Sequence, residues 1–307
     1  MQFNKGELKK MKKTRKKKHY LKRITIGDIV IIGMMLILVA LCILPLMNVV
    51  ATSLSSTDAL MRGEVTILPV GFQTQAFRDI LNDSRFMWSL LWTGILTVIV
   101  VALNLIMTVL CAYPLTYPSL KGRKIISFFI IFTMLFGAGL IPTYILFRDL
   151  NLLNNPLVLI LPGMLSVFNM ILMRNFFLGI PDSLKESAEI DGAGPLTILM
   201  KIYIPLSLPS FATIGLFVAV GRWNGFQDAL FFLPTATEWH PIQLLLFNIT
   251  QNLQAVDVAD PGSGTPAGWG RTVEAAAIVV AMVPILCVYP FIQKYFVKGA
   301  TLGAVKG

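Results

Sequence analysis

Residues Pro181 to Pro205 read PDSLKESAEIDGAGPLTILMKIYIP, a polar interval between two strongly apolar stretches, and its punctuation is helical. Ser183 and Glu186 have the S-x-x-E spacing of a capping box, in which the hydroxyl accepts from a free N–H and the glutamate reaches back. Asp182 and Glu186 also place negative charge near the positive end of that first turn. Asp191-Gly192 predicts the stop, because glycine adopts the left-handed conformation that ends many helices. Pro195 stands where a second helix begins, its fixed φ suited to a first turn, and Pro205 marks the start of the next apolar stretch. The interval predicts a short helix–turn–helix outside a membrane.

Composition supplies the membrane. Of 307 residues, 55% are hydrophobic and 14% charged, with a mean hydropathy of +0.73; a soluble domain carries about 25% charge. Six spans can be drawn, Ile24–Ser53, Leu90–Tyr117, Ile125–Phe147, Leu157–Phe177, Leu206–Leu233 and Val273–Phe296, each near or above the about 20 residues a crossing needs. The expected fold class is an all-α integral membrane protein of six transmembrane helices. Residues 1–23 form a basic tail, 24–296 the transmembrane domain with the 181–205 loop, and 297–307 a C-terminal tail.

An even number of spans puts both ends on one side, and basic residues decide which. Of the 26 Lys and Arg, twenty fall in the tails, in the segments after the second and fourth spans or, as Arg174 and Lys294, at the span ends that meet that side; five fall on the opposite side and Arg222 within a span. Both termini are expected to be cytoplasmic. The first 23 residues carry eleven of these charges. Such a run could contact nucleic-acid phosphates, but it directly precedes a span and reads better as an anchor beside anionic headgroups. It does not start a cleaved signal, because the apolar run Ile29 to Val50 is too long and no A-x-A site follows.

Between the first two spans, Leu54 to Ser89 is too polar to cross and predicts a small outer cap with a short helix around Thr74–Leu81. The third span holds Gly137, Gly139 and Pro142, which read equally as a break bordering a pathway or as close helix packing. Asn151–Pro156 predicts a turn. In the fourth span, Pro162 and Gly163 precede Asn169, either an interhelical hydrogen-bond partner or a ligand contact. The fifth span is the most polar, with GRWNGFQDAL from Gly221 to Leu230. Charges at membrane depth face a partner or a water-filled cavity. Asn224, Gln227 and Asp228, three and four residues apart, share a helix face, and Trp223 and Phe226 offer flat surfaces for sugar C–H groups. The alternative is that Arg222 and Asp228 simply pair. Pro234 to Thr272 predicts an outer loop, unstructured over Asp257–Gly270, that meets a partner or merely connects.

Several of these residues carry a family resemblance. Glu186, Ser187 and Ala188, followed by Asp191-Gly192-Ala193, Ile202 and Pro205, resemble the EAA loop of ABC-importer permeases, with glycine six and proline nineteen residues after the glutamate. Ser187 replaces the usual alanine and stays small. Trp223-Asn224 is similar to a dipeptide of carbohydrate-importer permeases, and Pro241-Ile242-Gln243-Leu244 to their Pro-Leu-Gln-x-x-Leu segment, with Ile242 in place of leucine. The Leu68-Pro69-x-Gly71-Phe72 turn and the GATLGAVKG ending are similar to the same group. From about Leu68 onward the chain resembles the second, shorter permease of these importers (the MalG-like and LplC-like kind); the basic tail lies outside that pattern.

The resemblance implies a type I ABC importer permease fold in a bacterial plasma (inner) membrane, with the 181–205 loop as a cytoplasmic coupling helix. Glu186, Ser187, Ala188, Asp191, Gly192, Ala193, Ile202 and Pro205 would dock on the ATPase. Asn169, Trp223, Asn224, Gln227 and Asp228 would line the substrate pathway. The implied partners are a second homologous permease, an ABC ATPase dimer that binds ATP and Mg, an extracytoplasmic substrate-binding protein, membrane lipid and an oligosaccharide. This chain itself is expected to hold no cofactor and no metal, and to bind no nucleic acid. It has no G-x-x-x-x-G-K-[ST] loop, its three cysteines (Cys42, Cys111, Cys287) lie far apart, and His19 and His240 belong to no catalytic set. A permease for another solute fits the same loop. An ion-coupled secondary transporter would show repeated halves, and no convincing repeat is visible.

Overall fold

The structure is a computed structural model that describes residues 26–259 and 267–304. The basic tail 1–23 therefore lies outside the described residues. Among the described residues there are helices and turns and no strand. Four helices are long and apolar enough to cross a membrane, or six if each of two bent helix pairs is one span.

The chain divides into two compact units at Met47. The described part of the first is most of helix α1 (Ile26–Ser53), which carries Asp28 in its first turn and a mean hydropathy of 3.1 over its most apolar window. Its apolar side chains from Ile29 to Met47 are exposed, an arrangement suited to lipid, because the helix satisfies its own backbone groups.

In the second unit, α2 (Thr57–Met61) and α3 (Gln75–Asn82) form a cap after α1. The expected short helix is α3; α2 comes in addition, its first turn capped by Ser56 Oγ. Gly71 is required here, since its φ is +65° and a Cβ would come within 2.6 Å of Ser56 Oγ. The second span, α4 (Ser84–Ala112), begins six residues before the expected Leu90 because Asp83 accepts from the N–H groups of Arg85 and Phe86. Its buried stripe runs Phe86, Ser89, Thr93, Leu96, Val100, Asn104, Thr108 and Ala112, the three- and four-residue spacing of one helix face.

The third span, drawn over Ile125–Phe147, takes the helix break that is one of the two readings of Gly137, Gly139 and Pro142. It is two helices, α5 (Arg123–Leu135) and α6 (Leu140–Asp149), bent by 111°. Gly139 adopts φ +83°, and Pro142 sits in the first turn of α6, where a missing N–H costs nothing. The return turn has Asn151 and Asn154 at positive φ. The fourth span is segmented as α7 (Leu157–Ile160), a 3₁₀ turn Leu161–Met164 around Pro162, and α8 (Val167–Leu178).

After the hairpin helices α9 (Asp182–Ile190) and α10 (Pro195–Ile198) come a π-helical turn Leu199–Tyr203, α11 (Ile204–Leu206) and α12 (Leu208–Asn224). Helix α12 stops at extended Gly225, and α13 (Gln227–Phe232) comes next, so the expected continuous span to Leu233 is broken. The region expected to be a loop over Pro234 to Thr272 contains α14 (Ile242–Ala259), held by the buried Ile242 and Leu244. The last helix, α15 (Ala267–Ala304), outruns the expected Val273–Phe296 at both ends and continues into the segment read as a tail. Of the loop expected over Asp257–Gly270, only 260–266 fall outside the described residues.

Two cores hold the hairpin and the broken fifth span in place. One packs Val109, Tyr113, Met173, Phe177, Leu199 and Tyr203 under the hairpin. The other packs Trp92, Leu96, Leu159, Phe232 and Leu244 near the break in the fifth span.

Candidate functional site

The hairpin is a helix, a turn and a second helix, as its punctuation predicts, but it starts differently. Pro181 occupies the N-cap position with an extended backbone, and no side chain caps α9. This places Ser183 and Glu186 inside the helix, so the expected capping box does not form; Asp182 in the first turn remains to meet the helix dipole. The end is as read. Asp191 closes α9, Gly192 takes φ +80°, and the Ala193 N–H donates to Ala188 O at 2.9 Å. Pro195 is the first residue of α10.

One side of the hairpin is fastened. The Tyr113 hydroxyl donates to Pro195 O at 2.9 Å, and the Tyr113 ring meets those of Tyr203 at 5.1 Å and Tyr117 at 5.3 Å. Lys185 Nζ lies 3.9 Å from the Tyr117 ring centroid and 3.8 Å from Glu189. Ala188, Ala193 and Ile202 pack on the aromatic core. The other side is open: Glu186, Ser187, Asp191, Gly192 and Pro205 are exposed, and among them Ile190 is 86% and Leu196 70% exposed. The eight residues expected to dock thus divide into five that face out and three that seat the loop. Sequence reading missed Tyr113, Tyr117 and Lys185; the repeated tyrosines of YPLTY at the end of the second span were the available signal.

The second cluster lies at the break in the fifth span. Arg222 is a buried guanidinium that satisfies three groups at once. Nη1 donates to Leu159 O at 3.2 Å and to Asp228 Oδ2 at 3.1 Å, and Nη2 to Gly225 O at 3.3 Å. It therefore pairs across the break and ties it to the start of the fourth span, with the planar multi-donor geometry that lysine lacks. Asn104 Nδ2 donates to Gly163 O at 2.8 Å, a carbonyl freed by the irregular turn at Pro162, and Asn169 Nδ2 donates to Asn104 Oδ1 at 3.3 Å. These groups and Ser166 line a cavity of about 400 Å³. The Asp228 side chain is 48% exposed, whereas that of Arg222 is 7%.

Of the five residues expected on the pathway, Asn169 and Asp228 line this cavity. Asn224 bonds back to Val220 O at 2.9 Å and is exposed, as is Gln227. Trp223 lines a different, apolar groove of about 570 Å³ with Gly94, Val101, Leu216 and Pro284. The shared face of Asn224, Gln227 and Asp228 does not exist, because Gly225 interrupts the helix between them. Asn104 and Arg222 are the additions. Asn104 carried the same signal as Asn169, a lone amide in an apolar span, and was passed over.

Comparison with known proteins gives a consistent answer. The family of binding-protein-dependent transport system inner membrane components matches residues 104–301. The chain is 42% identical over 283 residues to the polygalacturonan/rhamnogalacturonan transport system permease protein YtcP of Bacillus subtilis (strain 168), covering 91% of this chain and 98% of the relative. It is 38% identical over 270 residues to Protein LplC of the same organism, covering 87% and 90%. It also superposes, with a TM-score of 0.81 and 38% identity, on a chain from the crystal structure of a bacterial ABC transporter involved in the import of the acidic polysaccharide alginate, over 90% of this chain and 99% of that one.

Proposed function

This chain belongs to the family of binding-protein-dependent transport system inner membrane components, and from that premise we propose how it works as the permease of a sugar importer. It is a multi-pass membrane subunit of an ABC importer. Its substrate is an oligosaccharide, a reading supported by relatives named for polygalacturonan, rhamnogalacturonan and alginate transport.

The observation that carries the mechanism is the two-sided hairpin. Its inner side is bolted to the second span through Tyr113 and Pro195, while Glu186, Ile190 and Leu196 stand exposed. A loop built this way moves as one body with the spans. We assign its exposed side to a cleft on a separate ABC ATPase dimer, which binds ATP and Mg; this chain has no phosphate-cradling loop of its own. ATP binding draws the ATPases together, the hairpins follow, and the spans reorient so that the cavity faces outward. A second, homologous permease completes the pathway, and an extracytoplasmic binding protein delivers the sugar. The excess of basic residues beside the hairpin supports a cytoplasmic position for that end and for both termini.

The cavity with Asn104, Ser166, Asn169 and Asp228 contributes to the pathway. It offers amides and a half-exposed carboxylate, the acceptors and donors that sugar hydroxyls need. The deciding experiment reconstitutes both permeases and the ATPase in vesicles and measures ATP hydrolysis with and without sugar-loaded binding protein. Hydrolysis rises with the loaded binding protein; a rate indifferent to it, or uptake driven by an ion gradient without ATP, overturns the reading.

A further inference from the structure

At the hairpin end of the third and fourth spans lies a cavity of about 900 Å³ with a cationic mouth. Arg123 and Lys124, at the start of α5, and Arg174, one turn from the end of α8, line it together, and no acidic residue is among its lining. Lys124 is exposed and Arg123 and Arg174 are half-buried, so three like charges gather at an open mouth where an anion would relieve their mutual repulsion. Arg174 spends its Nε–H on Leu115 O at 3.2 Å, and no carboxylate lies within ion-pair distance of the three among the described residues.

A further observation agrees with an anion. The cavity holds the first turn of α5, whose Lys124 and Ile125 N–H groups have no acceptor among the described residues and sit at the positive end of a 13-residue helix. Beyond the cations the wall turns apolar. Phe128 and Ile131 follow Arg123 by five and eight residues, about 8 and 12 Å along the helix. A charged mouth above a greasy wall matches one molecule, a phosphate carried on an acyl chain.

We propose that this cavity binds an acidic phospholipid, with the headgroup phosphate between Arg123, Lys124 and Arg174 and an acyl chain along Phe128 and Ile131. Assigning the lipid to the cytoplasmic leaflet rests on the cytoplasmic position of the hairpin; the binding chemistry does not. Basic pockets between membrane helices take such headgroups, and each basic residue near the surface strengthens attraction severalfold. Leu115, which accepts from Arg174, follows Tyr113 by two residues in the chain.

The test uses the assembled importer in vesicles of phosphatidylethanolamine and phosphatidylglycerol, extracted gently and weighed by native mass spectrometry for retained lipid. Arg123→Gln with Lys124→Gln is expected to lower retained phosphatidylglycerol by about fivefold or more, with phosphatidylethanolamine unchanged, and Arg123→Lys to keep it. Lys121→Gln removes the same charge two residues away but outside the cavity lining, and is expected to change nothing. A loss in Lys121→Gln as large as that in Arg123→Gln with Lys124→Gln would reduce the effect to general surface attraction and overturn the proposal. So would retention of soluble glycerol phosphate in place of the lipid, or dissociation of the sister permease in the charge variants, which would make the cavity a protein interface. Stimulation of ATP hydrolysis by loaded binding protein, measured on the same samples, reports the permease reading separately.

Discussion

The Tyr113 hydroxyl and the Pro195 carbonyl stand 2.9 Å apart, joining the end of the second span to the first residue of the second hairpin helix, 82 positions along the chain. A force applied to the hairpin reaches the spans through this bond and the ring contacts beside it. Tyr113→Phe keeps the ring against Tyr203 and Phe177 and removes only the hydroxyl. A buried hydrogen bond contributes about 1 kcal/mol net, so the fold should persist while uptake per ATP hydrolysed falls about fivefold. The measurement is the ratio of transported sugar to phosphate released in vesicles; an unchanged ratio removes Tyr113 from the coupling path.

Glu186 lies on the exposed side of α9, among the residues assigned to the ATPase. Glu186→Lys reverses one charge there without touching the packed side, where Ala188 and Ala193 sit. Membrane insertion and thermal stability should match the parent, while ATPase subunits dissociate on purification and uptake is lost. Intact co-purification and normal uptake would detach Glu186 from the docking surface.

How far these features were legible depends on the range over which they are determined. The end of α9 at Asp191-Gly192 and the start of α10 at Pro195 are local, set by one left-handed glycine and one fixed φ, and both were read correctly. The capping box failed at the same range because Pro181 took the cap position, which shifts Ser183 into the helix. The break at Gly225 was hidden, since a lone glycine in a helical pattern is commonly tolerated. What opens the chain there is tertiary: the Arg222 guanidinium supplies donors to Gly225 O and Leu159 O that a helix would otherwise provide. Helix α14 was missed because the polar and glycine-rich residues after it dominated the reading of the whole interval, while the buried Ile242 and Leu244 that anchor it are a tertiary fact. Asn104 was legible as a lone amide in an apolar span, as Asn169 was; what was not legible was its partner, since in a span apolar around it periodicity does not distinguish the face that meets protein from the face that meets lipid.

Gly163 packs closely against α4, where an added Cβ would come within 2.8 Å of Val100 Cγ1. Val100 is buried and β-branched, so it has little freedom to yield. Gly163→Ala should destabilise the protein by about 1–3 kcal/mol, read as a lower thermal midpoint in detergent. Adding Val100→Ala should restore part of the loss. Two independent, additive losses would place the Gly163 effect in its own backbone and not in this contact.

The two members of the ion pair at the broken fifth span should separate structure from transport. Arg222 is buried and serves two carbonyls besides Asp228; Arg222→Met strands Leu159 O and Gly225 O, each loss costing about 1–3 kcal/mol. Asp228 is half exposed and gives one acceptor to the pair, so Asp228→Asn should cost no more than about 1 kcal/mol after solvent screening. Asp228→Asn also changes what the cavity offers a sugar, from a charged acceptor to an amide. The expected pattern is a well-folded Asp228→Asn transporter with altered preference among oligosaccharides, and an Arg222→Met transporter with a sharply lowered thermal midpoint. Competition uptake with labelled sugars and melting curves on both variants check it. Unchanged preference in Asp228→Asn takes that carboxylate out of the pathway, and an unchanged midpoint in Arg222→Met takes the guanidinium out of its role as the tie between the fourth and fifth spans.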